Sequence, residues 1–299
     1  MDEIVGLIYG VITAVFASLS YIMSRRFSSR QGQTPHQLMA LSHVLMGIAS
    51  LVILPFVYID PACDWLDVIF PVCSVVVSYF AAQYMLFAIL KRYSASNIAP
   101  MLGLKLVVAG IVTTYLGTVL SSAQITALFL AVCATLILRD RKEGITFYAI
   151  LWVVAICICF SISDFSIAEL TERIDPEKSM SGIIMSLVLC YITSAIYPLI
   201  FYREVRLASA RAWKDASAYA VTWYLCMVFL FTTFATLGVV YTVVLQSMRG
   251  IIAVVLGLIL ARLGYSQIEE NVSFGMRIRQ LFAAVLIVAA VYLYSGDVL

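Results

Sequence analysis

SNIAPMLGLKLVVAGIVTTYLG, residues 96–117, and VYTVVLQSMRGIIAVVLGLILA, residues 240–261, lie 144 positions apart and share a layout. Each is an apolar stretch longer than the roughly 18 residues that mark a membrane span. Each carries one cation at the same place, Lys105 in the first and Arg249 in the second. A charged side chain at the bilayer centre costs about 2.5 to 3.5 kcal/mol on insertion scales, so it faces a protein interior or a water-filled cavity and carries function. Two such residues at equivalent positions predict a shared site.

The rest of the chain fits that setting. Hydrophobic residues make up 63% of the 299 and charged residues only 12%, with a mean hydropathy of +1.01, too little polar surface to coat a soluble globule. Backbone groups in lipid need partners within their own segment or a closed barrel. The apolar runs are too long and too continuous for the alternating ten-residue strands of a barrel, so the spans are expected to be helices. Hydropathy and turn signals predict ten of them, at 4–24, 38–59, 68–90, 95–117, 122–138, 145–167, 181–202, 216–236, 239–263 and 276–294. The fourth and eighth connections are so short that their flanking helices must be antiparallel neighbours.

Basic residues set the expected orientation. Arg25, Arg26, Arg30, Lys91, Arg92, Arg139, Arg141, Lys142, Arg203, Arg206, Arg211, Lys214, Arg262, Arg277 and Arg279 follow odd-numbered spans, against Arg173 and Lys178 on the other side. The odd-numbered loops are therefore expected in the cytoplasm and both termini outside. The start, Met1-Asp2-Glu3, lacks the basic n-region of a cleavable signal, so the first span is expected to stay in the mature protein. A net charge of +2 belongs to these loops, and no basic run suits a nucleic-acid backbone. Of seven cysteines only Cys63 falls in a loop, so neither a disulfide framework nor a metal site is expected.

A shift of 144 also lays span one on span six and Tyr79-Phe80 on Trp223-Tyr224. The chain thus divides into a five-helix repeat over 1–143 and a second over 144–299. Five is odd, so the second copy enters the membrane upside down, the inverted-repeat plan of secondary transporters, whose substrate site lies near midplane at the repeat interface. Lys105 and Arg249 fall about ten residues into their spans, roughly 15 Å at 1.5 Å per residue. The fold expected is an all-α membrane protein of ten transmembrane helices in two inverted five-helix repeats.

The faces around the cations are polar and small: Asn97, Met101, Lys105, Ala109 and Thr113 in one half, Thr242, Gln246, Arg249, Ala253 and Gly257 in the other. Close helix packing explains the small residues equally well, but not the two charges. Tyr79, Trp223 and Tyr224 lie at middle depth and are candidates for lining a pocket, with packing as the alternative. Asp164, about 20 residues into the sixth span, is expected near the outer surface, where it is either interfacial or a gating or coupling group. His43, one turn inside the second span, is a satisfied polar group or a proton relay. Ser18, Ser20, Ser161 and Ser163 are expected to bond back to the preceding turn.

This organisation resembles the drug/metabolite transporter superfamily in its ten-helix, EamA-like form, over nearly the whole chain. The residues that carry the resemblance are Pro100 leading to Leu116-Gly117-Thr118 and Gln124, and Leu263-Gly264 with Glu269 and Glu270 before Gln280. The first of these lacks the acid common in the family. Lys105 and Arg249 are similar to cations that bind an anionic group in the sugar-phosphate and nucleotide-sugar branch, and Arg grips a carboxylate or phosphate bidentately. The first span holds no acid of the kind that binds cationic drugs in small multidrug-resistance relatives. The resemblance implies a secondary carrier, an exporter or exchanger, of a small anionic or zwitterionic metabolite, and among site residues it reaches Lys105 and Arg249 only; Gln246, Tyr79, Trp223 and Tyr224 join them as substrate-binding candidates by their position alone. It implies no cofactor, a monomer or homodimer, and a bacterial inner membrane. No nucleophile with its base, no metal motif and no Walker lysine motif points to an enzyme or ATP-driven pump. A flippase holding a lipid phosphate and a non-transporting sensor are the competing readings.

Overall fold

The computed structural model describes residues 3–28, 33–90, 101–115, 117, 119–137, 147–249, 252, 255, 256 and 274–295. These residues are helical throughout their regular parts, with no strand among them. The main helices are α1 (Glu3–Ser28), α2 (Pro35–Val57), α3 (Trp65–Leu90), α4 (Lys105–Tyr115), α5 (Ser122–Ile137), α6 (Phe147–Ile174), α7 (Met180–Ser194), α8 (Ala210–Leu237), α9 (Val239–Gln246) and α10 (Phe274–Ser295). Two short turns of helix, Ile196–Ile200 and Tyr202–Arg206, follow α7. Six helical stretches are long and apolar enough to cross a membrane: those beginning at Ile4, Pro35, Trp65, Phe147, Met180 and Ala210. Outward-facing Phe56, Leu66, Leu199 and Val221 are exposed apolar side chains of the kind a bilayer would cover.

Local chemistry explains where several helices begin. Thr34 precedes Pro35 at the first turn of α2 and its hydroxyl accepts the Gln37 N–H at 3.1 Å. Proline suits that position because its missing N–H would be unsatisfied anyway. Ser179 caps α7 through the Gly182 N–H and Ser209 caps α8 through the Ala212 N–H, each at 3.2 Å. Such caps satisfy donors that a helix start leaves orphaned. Between α6 and α7, Asp175 accepts from the N–H groups of Glu177 and Ser179. Its bonds to Ser179 hold the Asp175 carboxyl below the usual carboxylate range.

Helix packing runs in cross-connected pairs. α1 lies along α8 and α3 along α6, while α2 faces α7 and α5 faces α10. Smaller contacts join α1 to α9, α4 to α6 and α4 to α9. The α1–α8 seam is closed by aromatic contacts, Phe16 on Phe229 at 5.9 Å and Tyr9 on Phe229 at 5.6 Å. A methyl group added at Gly6 would meet Thr236 Oγ1 at 2.7 Å, so the absence of a side chain there permits the approach of the two helices.

The eighth connection is a single residue. Gly238 joins α8 to α9 with φ 75° and ψ 173°, a backbone region essentially closed to side-chain-bearing residues. Both short connections do leave their helices in contact, α4 with α5 and α8 with α9. The expected lengths differ elsewhere. α6 continues seven residues beyond its expected end at Ile167, and α8 starts six before its expected beginning at Ala216. Helical geometry changes beside each cation, which sets the start of α4 and the end of α9; 95–100 and most of 250–263, which belong to the expected spans, lie outside the described residues.

Candidate functional site

The chain tightens immediately before Lys105. Leu102–Leu104 form one turn of 3₁₀ helix, the Lys105 N–H donates to Leu102 O three residues back, and α4 then proceeds in α geometry. The Cys157 thiol of α6 approaches Leu102 O at 3.7 Å. In the second half α9 ends at Gln246, and the Ser247 N–H is shared between Val243 O at 3.2 Å and Val244 O at 3.1 Å. Met248 N–H then donates to Leu245 O, again three residues back, before four-residue spacing resumes from Ile252 to Met248. Arg249 follows this tightening as Lys105 follows the other, and its carbonyl accepts the Ser18 hydroxyl of α1 at 2.9 Å. Stretches of 3₁₀ geometry within a helix commonly mark hinges. Non-helical backbone at membrane depth is tolerated where protein or a water-lined cavity surrounds it.

Lys105 is buried, at 5% exposure, as is Asp164 at 4%. The Lys105 ammonium meets Asp164 Oδ2 of α6 as an ion pair. It also donates to Gln246 Oε1 of α9 at 3.3 Å and lies 5.7 Å from the centre of the Phe160 ring. Three helices thus converge on one cation. Among the described residues, buried Gln246 Nε2 meets no hydrogen-bond partner, nor does Ser161 Oγ on the α6 face that carries Asp164. Arg249 is half-buried, near enough for its charge to act on both Lys105 and Asp164.

The position of Asp164 corrects the sequence reading. It is buried beside Lys105 rather than at the outer surface. α6 has 28 residues, about 42 Å at 1.5 Å per residue, against a hydrocarbon core of roughly 30 Å. Depth counted from one end of so long a helix goes astray, and Asp164 falls ten residues short of the far end. The rule that intramembrane charges pair with one another would have linked it to Lys105. The tightened turns had a weaker signal, a glycine beside each cation at Gly103 and Gly250.

The remaining candidates gather in an aromatic layer. Tyr79 of α3 and Trp223 of α8, equivalent under the 144-residue shift, face each other with ring centres 6.2 Å apart, and Trp223 stacks on Tyr219. Tyr224 turns towards α2 and α7, its hydroxyl 3.0 Å from Ser50 Oγ and its ring 5.1 Å from Tyr191. His43 Nδ1 donates to Met39 O at 2.7 Å, and its ring is surrounded by Tyr79, Phe80, Tyr191 and Tyr197. The structure therefore brings Lys105, Asp164 and Gln246 together, and separately His43, Tyr79 and Trp223. Ser18 bonds back to Ala14 O and Ser20 to Ala17 O.

The family model for EamA-like transporters matches residues 4–139. Those residues, a little under half of the chain, are similar to that family. The six helical stretches long and apolar enough to cross a membrane, among the described residues, agree with that similarity. A solved crystal structure 14% identical to this chain superimposes with a TM-score of 0.65, covering 97% of this chain and 94% of its own. That likeness is one of fold alone. No curated protein matches the chain.

Proposed function

We propose that this EamA-like protein is a secondary carrier of a small anionic or zwitterionic organic metabolite, exported or exchanged by alternating access, with Lys105, Arg249 and Gln246 as its central ligands. The observation that carries this reading is a buried cation of α4 held by side chains from two further helices, α6 and α9, beside a tightened turn that recurs at the equivalent place in the other half. A tightened, hinge-type turn next to a charged site suits a carrier that must hold a substrate and then re-expose it.

The reading includes two inverted repeats. Exchanging α1 to α5 with α6 to α10 turns the α1–α8 contact into α6–α3 and the α1–α9 contact into α6–α4, while α2–α7, α4–α9 and α5–α10 map onto themselves. All of these contacts occur, which supports a pseudo-two-fold relation. On it Tyr79 meets its own counterpart Trp223 at the centre. The odd-numbered loops face the cytoplasm of a bacterial inner membrane in this reading, and Tyr79 and Trp223 form the floor of the substrate site.

A binding-competent folded state gains apparent stability from its ligand. The purified chain is screened by thermal shift against carboxylates, amino acids, sugar phosphates, nucleotide sugars and cationic drugs, beside Lys105→Ala and Arg249→Ala. Stabilisation by an anion or zwitterion that disappears in both variants is expected. Stabilisation by cationic drugs alone, or by anions irrespective of the substitutions, overturns the assignment.

A further inference from the structure

We infer that Asp164 is a proton-binding site governed by Lys105: it stays ionised while paired with the ammonium and takes up one proton when a substrate anion draws Lys105 away. This rests on the proposed engagement of Lys105 by substrate, and adds what happens to the partner left behind.

The argument starts from what surrounds the carboxylate. Asp164 is buried on α6, among the described residues its ion pair is with Lys105 of α4, and Arg249 beyond α9 acts on it only through space. Those two are the charged groups that act on it; Cys157 of α6 lies beside Lys105, and Ser74 of α3 is engaged with Ser166 at 2.7 Å. A buried carboxylate stripped of its counter-ion is strongly unfavourable, and such groups neutralise instead. An anion arriving at Lys105 supplies a new partner to the ammonium and none to Asp164. The proton comes from water on the side to which the site is then open, forming the O–H of a carboxylic acid. When the anion departs, Asp164 returns the proton to water on the other side and pairs again with Lys105. One proton then accompanies each monoanion. A zwitterion, whose own ammonium can face Asp164, carries none.

Infrared spectroscopy of the purified full chain tests this without a substrate, since Lys105→Met imitates a lysine drawn away. At neutral pH the wild-type protein should show no carboxylic-acid C=O band assignable to position 164. Lys105→Met should gain one such band, which the added change Asp164→Asn removes. Because Lys105→Met risks misfolding, Lys105→Gln and an acid titration of the wild-type protein give the same readout, with the band lost in Asp164→Asn. A band already present in the wild type at neutral pH, or none in either lysine variant, overturns the proposal. The thermal-shift screen fails or succeeds independently of this band, so loss of the substrate reading and loss of the proton site are told apart.

Discussion

Lys105 and Arg249 are equivalent in sequence, 144 residues apart, yet their surroundings differ. Lys105 is buried and neutralised, whereas Arg249 is half-buried, with its main chain anchored by Ser18 and its charge shared at a distance. The cause is one residue in the partner helix. The position equivalent to Asp164 in the first half is Ser20, whose hydroxyl bonds back to Ala17 O at 2.7 Å. Likewise Gln246, which reaches Lys105, has Leu102 as its counterpart. Backbone behaviour is thus common to both halves, while side-chain chemistry is specialised. In the proposed carrier, the half-buried Arg249 is the cation better placed to meet an incoming anion first.

Breaking the pair at Lys105 should have the largest effect. Lys105→Met alone leaves Asp164 buried without its counter-ion and forces it to neutralise, and removing one partner of a buried ion pair costs about 3–5 kcal/mol. Lys105→Met combined with Asp164→Leu should recover most of that stability and no transport, as read by thermal unfolding beside uptake into proteoliposomes. A double variant no more stable than the single one would mean that the pair does not hold the two helices together through charge.

Arg249→Lys probes the other side of the comparison more gently. It keeps the charge and removes the planar fork, so affinity for a carboxylate or phosphate should fall about tenfold, roughly 1.4 kcal/mol, with unfolding unchanged. Equal affinity in the two proteins would show that Arg249 acts as a point charge rather than as a bidentate ligand.

The smallest effect concerns the anchors of the two tightened turns. Ser18→Ala removes the bond to Arg249 O and should cost about 1 kcal/mol, near the net worth of one hydrogen bond. Cys157→Ala loses only a 3.7 Å thiol contact to Leu102 O and should cost less than Ser18→Ala through that bond, apart from the small cavity it leaves. Chemical denaturation of the two variants ranks them, and the reverse order would place the stronger anchor on the first half.

Much of the architecture is legible in the sequence because hydropathy reports lipid contact directly. The starts of α2 and α7 follow from Thr34-Pro35 and Ser179, and Gly238 marks the turn between α8 and α9. The candidate site was legible only in part. Lys105 and Arg249 stand out because charge is rare in such segments, but Asp164 sits in the polar run Ser161-Ile162-Ser163-Asp164, which reads as an approach to the surface. Hydropathy measures composition along a helix and says nothing of tilt or overshoot, so depth within the 28-residue α6 could not be read from it. The tightened turns leave no trace in hydropathy either, since they change hydrogen-bond spacing without changing side-chain polarity.

The one-residue joint at Gly238 has a mechanical meaning. α8 is a stiff rod of about 42 Å, fastened along its length to α1, and it passes into α9 with no slack segment to absorb displacement. Gln246 is eight residues past that joint and already touches Lys105. A tilt of the α1–α8 pair is therefore delivered, like the throw of a crank, about 12 Å along α9 to the amide that grips the buried ammonium.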